Sequence, residues 1–238
     1  MKKVQFVKNE NNSKPLYFVY FIYYKIGGAE KMEAFKNEMS SAMEKYGVEN
    51  LFSITVDKKE AIVGANTFEK PDEILIQKVK NVNNFNTYIE DIQFTQSKPL
   101  LQDAVRKMTY IVGTQIERRE MSSEVEFDKR MYALGLIYYK PDGREKLMEF
   151  NKKAIPLFMK HSFYADKFLD VLDKGSIVGK ADDFVLPDEL RIFWADSVED
   201  LYNYNNDTDY QAIKGIREEG VADYPTFLGK YKPYANSL

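Results

Sequence analysis

The chain has 238 residues, a net charge of −3, 44% hydrophobic residues and 30% charged residues, which is the composition of a folded globular protein. It has no cysteine and one histidine, which excludes disulfides, thiolate chemistry and zinc sites built from several imidazoles. No basic block favours nucleic-acid binding, and no apolar run is long enough to cross a bilayer as a helix. The first 14 residues lack the apolar core of a signal peptide, so we expect a cytoplasmic protein with neither a nucleic-acid nor a membrane partner.

The first half of the chain begins with a continuous apolar and aromatic run, Leu16–Tyr24, which is typical of a strand buried on both faces. After Gly27-Gly28, apolar residues spaced by three and four positions predict a helix over about 29–46. The remaining predicted elements are strands at about 51–57, with an extension toward Val63, and at 73–80, a helix from about Asn83, and a strand at about 109–115.

The second half repeats this plan. It begins with a predicted strand at Met131–Tyr139, and the helix that follows carries an apolar stripe ending at His161. Capping boxes are predicted at Asp142 with Glu145 and at Ser197 with Asp200, and Asp207 is expected to start a further helical turn. The remaining predicted elements are strands near 167–172, 188–195 and 224–230, and a short extended piece at 176–179.

The two halves also match residue by residue. Ile22-Tyr23-Tyr24-Lys25 and Ile62-Val63-Gly64 recur 115 residues later, and Pro71-Asp72-Glu73-Ile74 recurs, after one inserted residue, as Pro187-Asp188-Glu189-Leu190. A unit of this size is a duplicated domain rather than a solenoid repeat. The predicted organisation is a tail at 1–14, a first repeat at 15–116, a charged linker at 117–130, a second repeat at 131–232 and a tail at 233–238.

Each repeat has the order β-α-β-β-α-β, an α+β unit with an antiparallel sheet and both helices on one face of that sheet. The first strand of each repeat is apolar at consecutive positions, so its other face must also be covered. We therefore expect two ferredoxin-like repeats whose sheets pack against each other within one chain, forming an intrachain α+β barrel.

Short motifs in the second repeat match known proteins: Pro156 with His161, Pro187 before a strand ending in Phe193, Ser197, Asp209-Tyr210-Gln211-Ala212, and Arg217. Over about residues 131–231 they resemble the dimeric α+β barrel superfamily, and within it a small uncharacterised family of single-domain proteins. The resemblance implies a pocket between the helices and the sheet of each unit. The superfamily includes cofactor-free monooxygenases, isomerases, lyases, haem proteins and proteins without known activity. Its members usually pair as homodimers, whereas this chain supplies both halves, so a further homo-oligomer stays open.

Polar side chains differ between the repeats and favour a site in the second repeat. The differing pairs, with the second repeat first, are His161 and Tyr46, Trp194 and Lys78, Asp209 and Gln93, Tyr210 and Phe94, and Arg217 and Leu101. We interpret the first repeat as a structural partner that has lost these polar groups.

Three of these residues are candidates for catalysis. His161 has the chemistry of a general base. The alternative is a structural role, in which it caps helix carbonyls or forms a hydrogen bond within the core. Arg217 suits a carboxylate or enolate oxygen, or else forms an exposed pair with a neighbouring acid. Asp209 orients one of these two groups, or else caps a helix.

Trp194 and Tyr210 are candidate walls of an aromatic ligand pocket, with core packing as the alternative. Haem-binding duplicated barrels carry a histidine on the first helix of the second half, but Asn151 stands at that position here. We therefore predict no haem, no other cofactor and no metal.

The leading hypothesis is a small-molecule-binding barrel that acts as a cofactor-independent enzyme of the monooxygenase, isomerase or lyase type on an apolar or aromatic acid or enol. The alternative is a barrel that binds a ligand or partner without catalysis. The enzymatic hypothesis requires His161 and Arg217 to converge on one cavity.

Overall fold

A computed structural model describes residues 14–58, 69–116, 126, 129–180 and 185–232. Within these residues the first half of the chain has four strands and three helices, and the second half repeats that order with its last strand divided in two. The first-half elements are β1 (Leu16–Tyr24), α1 (Gly28–Tyr46), β2 (Val48–Val56), β3 (Glu73–Val79), α2 (Val82–Glu90), α3 (Ile92–Ala104) and β4 (Val105–Gln115). The second-half elements are β5 (Met131–Tyr139), α4 (Gly143–Lys160), β6 (Phe163–Val178), β7 (Glu189–Ala195), α5 (Val198–Asn206), α6 (Thr208–Gly220), β8 (Val221–Asp223) and β9 (Thr226–Lys232).

The second helical region of each half is divided by an aspartate. Asp91 separates α2 from α3, and Asp207 separates α5 from α6. Each carboxylate accepts a hydrogen bond from the backbone N–H two residues later, at Gln93 and at Asp209, and so caps the second helix of the pair. The helical turn predicted to start at Asp207 is confirmed, whereas the division at Asp91 was not predicted.

Two further local predictions have different outcomes. The capping box at Asp142 is wrong, because this residue adopts a left-handed conformation with φ of 58° and its side chain makes no cap hydrogen bond. The helix cap at Ser197 is confirmed, because its Oγ accepts from the N–H of Asp200 at 3.1 Å. The Asp200 carboxylate accepts from the Ser197 hydroxyl at 2.6 Å, whereas a capping box would have it accept from the Ser197 backbone N–H. The extended piece predicted at 176–179 is the end of the long strand β6. The extension toward Val63 and most of the predicted linker and tails lie outside the described residues.

The first helix of each half begins against the end of that half's last helix. Gly28 lies against the carbonyl of Ala104, and Gly143 lies against the carbonyl of Gly220, so that a Cβ on either glycine would overlap the carbonyl oxygen. The same two carbonyls accept backbone hydrogen bonds from the residues just before α1 and α4. Glycine is needed at both positions because only it allows this backbone approach.

Every strand pairing among the described residues is antiparallel. Eight strands form a closed cycle of pairings in the order β7-β6-β4-β1-β3-β2-β9-β5, with β5 pairing back to β7. The β4–β6 and β2–β9 pairings join the two halves of the chain, and the short strand β8 adds to β5. The structure is therefore a mixed α+β fold with one large antiparallel sheet.

Buried apolar residues of the described chain form three clusters. One lies between the helices and strands of the first half, and a second lies in the same place in the second half. The third joins the opposite strand faces of both halves and includes Val19, Ile76, Leu134 and Ile192. Along β1 the side chains alternate between the first and third clusters, so the predicted burial of both faces of this strand is confirmed.

A buried carboxylate lies where the two halves meet. Glu73 on β3 is 2% exposed and accepts hydrogen bonds from Tyr24 Oη at 2.7 Å and Ser53 Oγ at 2.8 Å. It also binds Lys36 Nζ at 2.9 Å and Lys232 Nζ at 2.7 Å, and Lys232 belongs to the last strand of the second half. Burial alone would raise the pKa of Glu73, but the two ammonium groups lower it from 4.5 to about 2.

A pKa lowered by folding means that Glu73 stabilises the native state above pH 4.5, and that this contribution falls as the pH drops from 4.5 toward 2. We therefore expect the wild type to be more stable than Glu73→Gln at pH 7, and the difference to shrink by about 3 kcal/mol in this window. Urea unfolding at several pH values measures both proteins. Glu49→Gln, which changes an exposed carboxylate, is the control and should follow the wild type throughout. A difference that does not change with pH would contradict this role of Glu73.

Candidate functional site

A cavity of about 170 Å³ lies in the second half, between helices α4, α5 and α6 and the sheet. Its lining is mainly apolar and aromatic, with two arginines among its polar groups. The lining residues are Ala133, Ile137, Leu147, Phe150, Asn151, Phe158, Phe163, Arg191, Phe193, Leu201, Tyr202, Tyr204, Asn205, Arg217, Val221, Tyr224, Thr226 and Leu228. An apolar cavity with few polar groups is the usual form of a small-molecule site.

The same region of the first half is closely packed, with a cavity of only about 30 Å³. The strand registers show which residues correspond. Ala133 pairs with Phe193 on β7, as Phe18 pairs with Gln77 on β3. Ala133 therefore occupies the place of Phe18, and one aromatic ring is missing from the second half.

Two further rings of the first half have smaller counterparts in the second half. Thr226 pairs with the first strand of its half at the position where Tyr110 does so in the first half. Leu201 corresponds to Phe85, because each is the fourth residue of its helix, α5 and α2 respectively. In the first half these rings pack with Phe18, whose centroid lies 4.0 Å from Phe85 and 5.4 Å from Tyr110. The cavity is therefore open where the first half is filled by three aromatic rings.

Arg191 is a buried polar group of this cavity. It lies on β7, is 4% exposed, and stands at the position of Leu75 in the first half. Its Nε donates to Glu189 Oε1 at 2.5 Å, and its Nη1 donates to Asn151 Oδ1 at 2.9 Å. Because Glu189 lies against it, the charge of Arg191 is neutralised within the protein.

Arg217 has different surroundings. It is half-buried near the end of α6, and its Nη1 donates to Tyr210 Oη at 2.7 Å. Its guanidinium carbon lies 5.8 Å, 5.7 Å and 5.8 Å from the ring centroids of Phe150, Tyr210 and Tyr224, at the outer limit of cation–π attraction. Among the described residues, no carboxylate lies within ion-pair distance of Arg217, so the exposed ion pair considered as an alternative is not seen. The cavity therefore contains a guanidinium charge available to a ligand.

Tyr224 lies near both arginines, and its ring rests on Gly135, where a Cβ would overlap it. Burial raises the pKa of Tyr224, and the opposing charges of Arg191 and Arg217 do not reverse that shift, so the phenol is neutral at neutral pH. Within the described part of the chain its hydroxyl has no hydrogen-bond partner. The cavity therefore offers a neutral hydrogen-bond donor as well as a cation.

His161 has a structural position. It follows the last residue of α4, and its Nε2 lies 2.7 Å from Asp207 Oδ2, which also binds Lys160 Nζ at 2.7 Å. In the first half, Tyr46 Oη donates in the same way to Asp91 Oδ2 at 2.6 Å. The two side chains thus hold equivalent helix-capping aspartates. Hydrogen bonds from Lys160 and His161 lower the pKa of Asp207.

The other predicted site residues are distributed over different places. His161 is absent from the cavity lining, so the predicted convergence of His161 and Arg217 is not found. Asp209 is exposed at the start of α6. Trp194 lies on the other face of β7, in the cluster between the halves, where it stacks on Tyr164 at 4.2 Å. Tyr210 lies outside the lining but holds Arg217 through its hydroxyl.

Of the predicted site residues only Arg217 lines the cavity, and the polar lining residues that the sequence did not indicate include Arg191, Asn151 and Tyr224. A signal for Arg191 was present, because a charged residue interrupts an apolar strand where the first repeat has Leu75. The roles of Asn151 and Tyr224 depend on contacts with the arginines, which the sequence alone does not show.

Comparisons with known proteins show the fold. No family model matches the chain, and no curated protein sequence does so significantly. Solved structures with a similar fold include a putative monooxygenase from Lactobacillus acidophilus NCFM, with 11% identity, a TM-score of 0.56, and coverage of 92% of this chain and 94% of that one. An anthrone oxidase-like protein shares 14% identity with a TM-score of 0.56, covering 95% of both chains. A mutant chlorite dismutase from Candidatus Nitrospira defluvii shares 10% identity with a TM-score of 0.59, covering 93% of this chain and 92% of that one.

The fold shared with these proteins agrees with the α+β class expected from the sequence. The identities are low, so the similarity concerns the fold. In the described ranges, no group of three His, Asp or Glu side chains is arranged to hold a metal ion. Likewise, none of the described helices is long and apolar enough to span a membrane.

The match between His161 and Tyr46 predicts that His161→Tyr keeps the bond to Asp207, whereas His161→Ala removes it. We expect His161→Ala to lower the melting temperature by about 3–10 °C, since a hydrogen bond to a charged group is lost. His161→Tyr should melt close to the wild type, as should the reciprocal variant Tyr46→His. Thermal unfolding followed by circular dichroism measures all three. Equal destabilisation by the Ala and Tyr variants would show that the hydrogen bond is not what His161 contributes.

Proposed function

We propose that the protein binds a small apolar or aromatic molecule with an anionic oxygen group, a carboxylate or an enolate, in the cavity of its second half. The observation that carries this proposal is Arg217, a guanidinium that faces a largely apolar cavity without a carboxylate partner in the described residues. The planar guanidinium suits such oxygen groups, and the surrounding rings suit an apolar body.

The proposal includes the origin of the architecture. We infer that the chain is a tandem duplication whose two repeats close into an intrachain α+β barrel, and that the second repeat derives from the single-domain family that it resembles. The strand registers and the glycine contacts are the same in both halves, which supports this inference. So does the aspartate clamp, the bond that holds the helix-capping aspartate, from Tyr46 to Asp91 in the first half and between His161 and Asp207 in the second. In this scheme the filled first repeat is the structural partner of the open second repeat.

Arg217 is replaced by Leu101 in the first repeat, which suggests the test. We expect Arg217→Leu to weaken the binding of 2-naphthoate, measured by isothermal titration calorimetry, by about 10- to 100-fold, because a charge-assisted hydrogen bond is lost. Arg144→Leu is the matched control, since Arg144 is half-exposed and pairs with Asp170 outside the cavity. Equal affinity of Arg217→Leu and the wild type for 2-naphthoate would refute the proposal, as would an absence of binding to the wild type.

A second candidate function is a cofactor-independent enzyme acting on an enol or enolisable acid. The observation that favours it is the neutral hydroxyl of Tyr224, whose ring centroid lies 5.8 Å from the guanidinium carbon of Arg217, an arrangement that would stabilise a developing enolate oxygen. None of the described lining residues is Asp, Glu or His, so the cavity lacks the usual general bases. The proton would therefore leave to water or to a group of the substrate. Without such turnover, the protein is the non-catalytic ligand-binding barrel.

Phenylpyruvate tests this candidate, because it has a carboxylate, an aromatic ring and an enolisable C–H bond. We expect the protein to accelerate deuterium exchange at that carbon, followed by NMR, and Tyr224→Phe to slow this exchange about 10-fold or more through loss of one hydrogen bond to the enolate. His161→Ala should exchange at the wild-type rate, since His161 lies outside the cavity lining. If the protein does not accelerate this exchange over buffer, the enzymatic candidate is refuted and the binding function remains.

A further inference from the structure

Resting on the proposed anion site, we infer that the ligand of the second half is an aromatic acid or phenolate whose flat ring system occupies the place that three aromatic side chains fill in the first half. The first half thus indicates the shape and chemistry of the missing occupant. The inference concerns the body of the ligand, whereas the proposed function concerns the anionic group held by Arg217.

The correspondence between the two halves is fixed by hydrogen-bond register and helix position. Phe18 pairs with Val112, and Ala133 pairs with Leu228 at the equivalent point of the sheet. Tyr110 pairs with Tyr20, and Thr226 pairs with Gly135. The missing rings therefore belong to one continuous volume against the sheet.

In the first half this volume is filled by ring packing. Phe18 and Phe85 are stacked, with centroids 4.0 Å apart and planes 22° apart. Tyr110 meets Phe85 edge-on at 6.2 Å. Such arrangements are favourable beyond the area they bury, because the faces and edges of aromatic rings carry opposite partial charges. The walls of this volume are therefore compatible with flat rings.

The walls of the open cavity are also aromatic. Phe150, Phe163, Phe193 and Tyr204 line it, and Phe163 stacks on Phe193 at 4.9 Å. Phe150 also lies 5.8 Å from the guanidinium of Arg217, so the aromatic wall extends to the charge. A ring that carries a carboxylate or a phenolate oxygen can contact the wall while its oxygen binds Arg217.

The first experiment compares two probes on the wild-type protein by isothermal titration calorimetry. 2-Naphthoate and decahydro-2-naphthoate have the same carbon skeleton and charge, but only the first is flat and aromatic. We expect 2-naphthoate to bind about 3- to 10-fold more tightly, because contacts between aromatic rings add to the free energy of binding beyond the area they bury. If both acids bind equally and both depend on Arg217, the inference is refuted and the proposed function stands. If neither acid binds, both are refuted.

The second experiment refills the cavity with the first-half residues, in Ala133→Phe and separately in Thr226→Tyr. We expect each variant to fold with a melting temperature no lower than that of the wild type and to bind 2-naphthoate at least about 10-fold more weakly, because its ring occupies the ligand's place. Arg144→Leu again serves as the control away from the cavity. Should one variant fail to fold, the other decides. A folded variant that binds 2-naphthoate as the wild type does would overturn the inference.

Discussion

The structure depends on the burial of two faces of the same strands. Strands β1 and β5 are apolar at consecutive positions, so one face must be covered by helices and the other by something else. The other half of the chain provides that cover through the cluster that contains Val19, Leu134 and Ile192. The β4–β6 and β2–β9 pairings then give every strand of the cycle two neighbours, which leaves none of those eight with an open edge. The space between the halves contains this buried cluster, whereas the cavity of the second half lies on the helix side of the sheet.

The two halves solve the same packing problem with different side chains. In the first half, Phe18, Phe85 and Tyr110 fill the space between helices and sheet, whereas Ala133, Leu201 and Thr226 leave it open. An unfilled cavity costs stability, because its walls lose contacts. The contacts that place the elements are nevertheless conserved between the halves: the glycine approach at the start of the first helix, the aspartate clamp and the buried glutamate. The glycine approach and the aspartate clamp lie outside the cavity lining, so the second half can lose ring packing without losing the geometry of its elements.

Much of this fold could be predicted from the sequence, since continuous apolar runs and helical stripes report burial directly. The site residues were harder to predict, because the spacing of apolar residues along a helix does not show where the side chain at the helix end points. His161 continues the spacing of its stripe but follows the last residue of α4 and bonds to Asp207, a partner 46 residues away. Trp194 and Arg191 lie three positions apart on one strand and therefore face opposite ways, so they could not share a pocket. Alternation along the strand shows that they are separated but not which of them faces the helices. Arg217 was found because its counterpart Leu101 is apolar, and the same comparison applied to Leu75 would have found Arg191.

The difference between the two arginines decides which chemistry the cavity supports. Arg191 is bound by Glu189 and Asn151, so its charge and its donors are largely used within the protein. Arg217 is bound by a neutral phenol and lies beside aromatic rings, so no carboxylate among the described residues offsets its charge. An anionic ligand bound there would give the guanidinium a charge-assisted hydrogen bond in surroundings of low polarity, where such a bond is stronger than in bulk water. Binding of a neutral ligand would instead remove the water from a cation and offer no compensation. In the proposed function, the cavity would therefore select anions by the cost of leaving Arg217 without a partner, and its shape would then select among them.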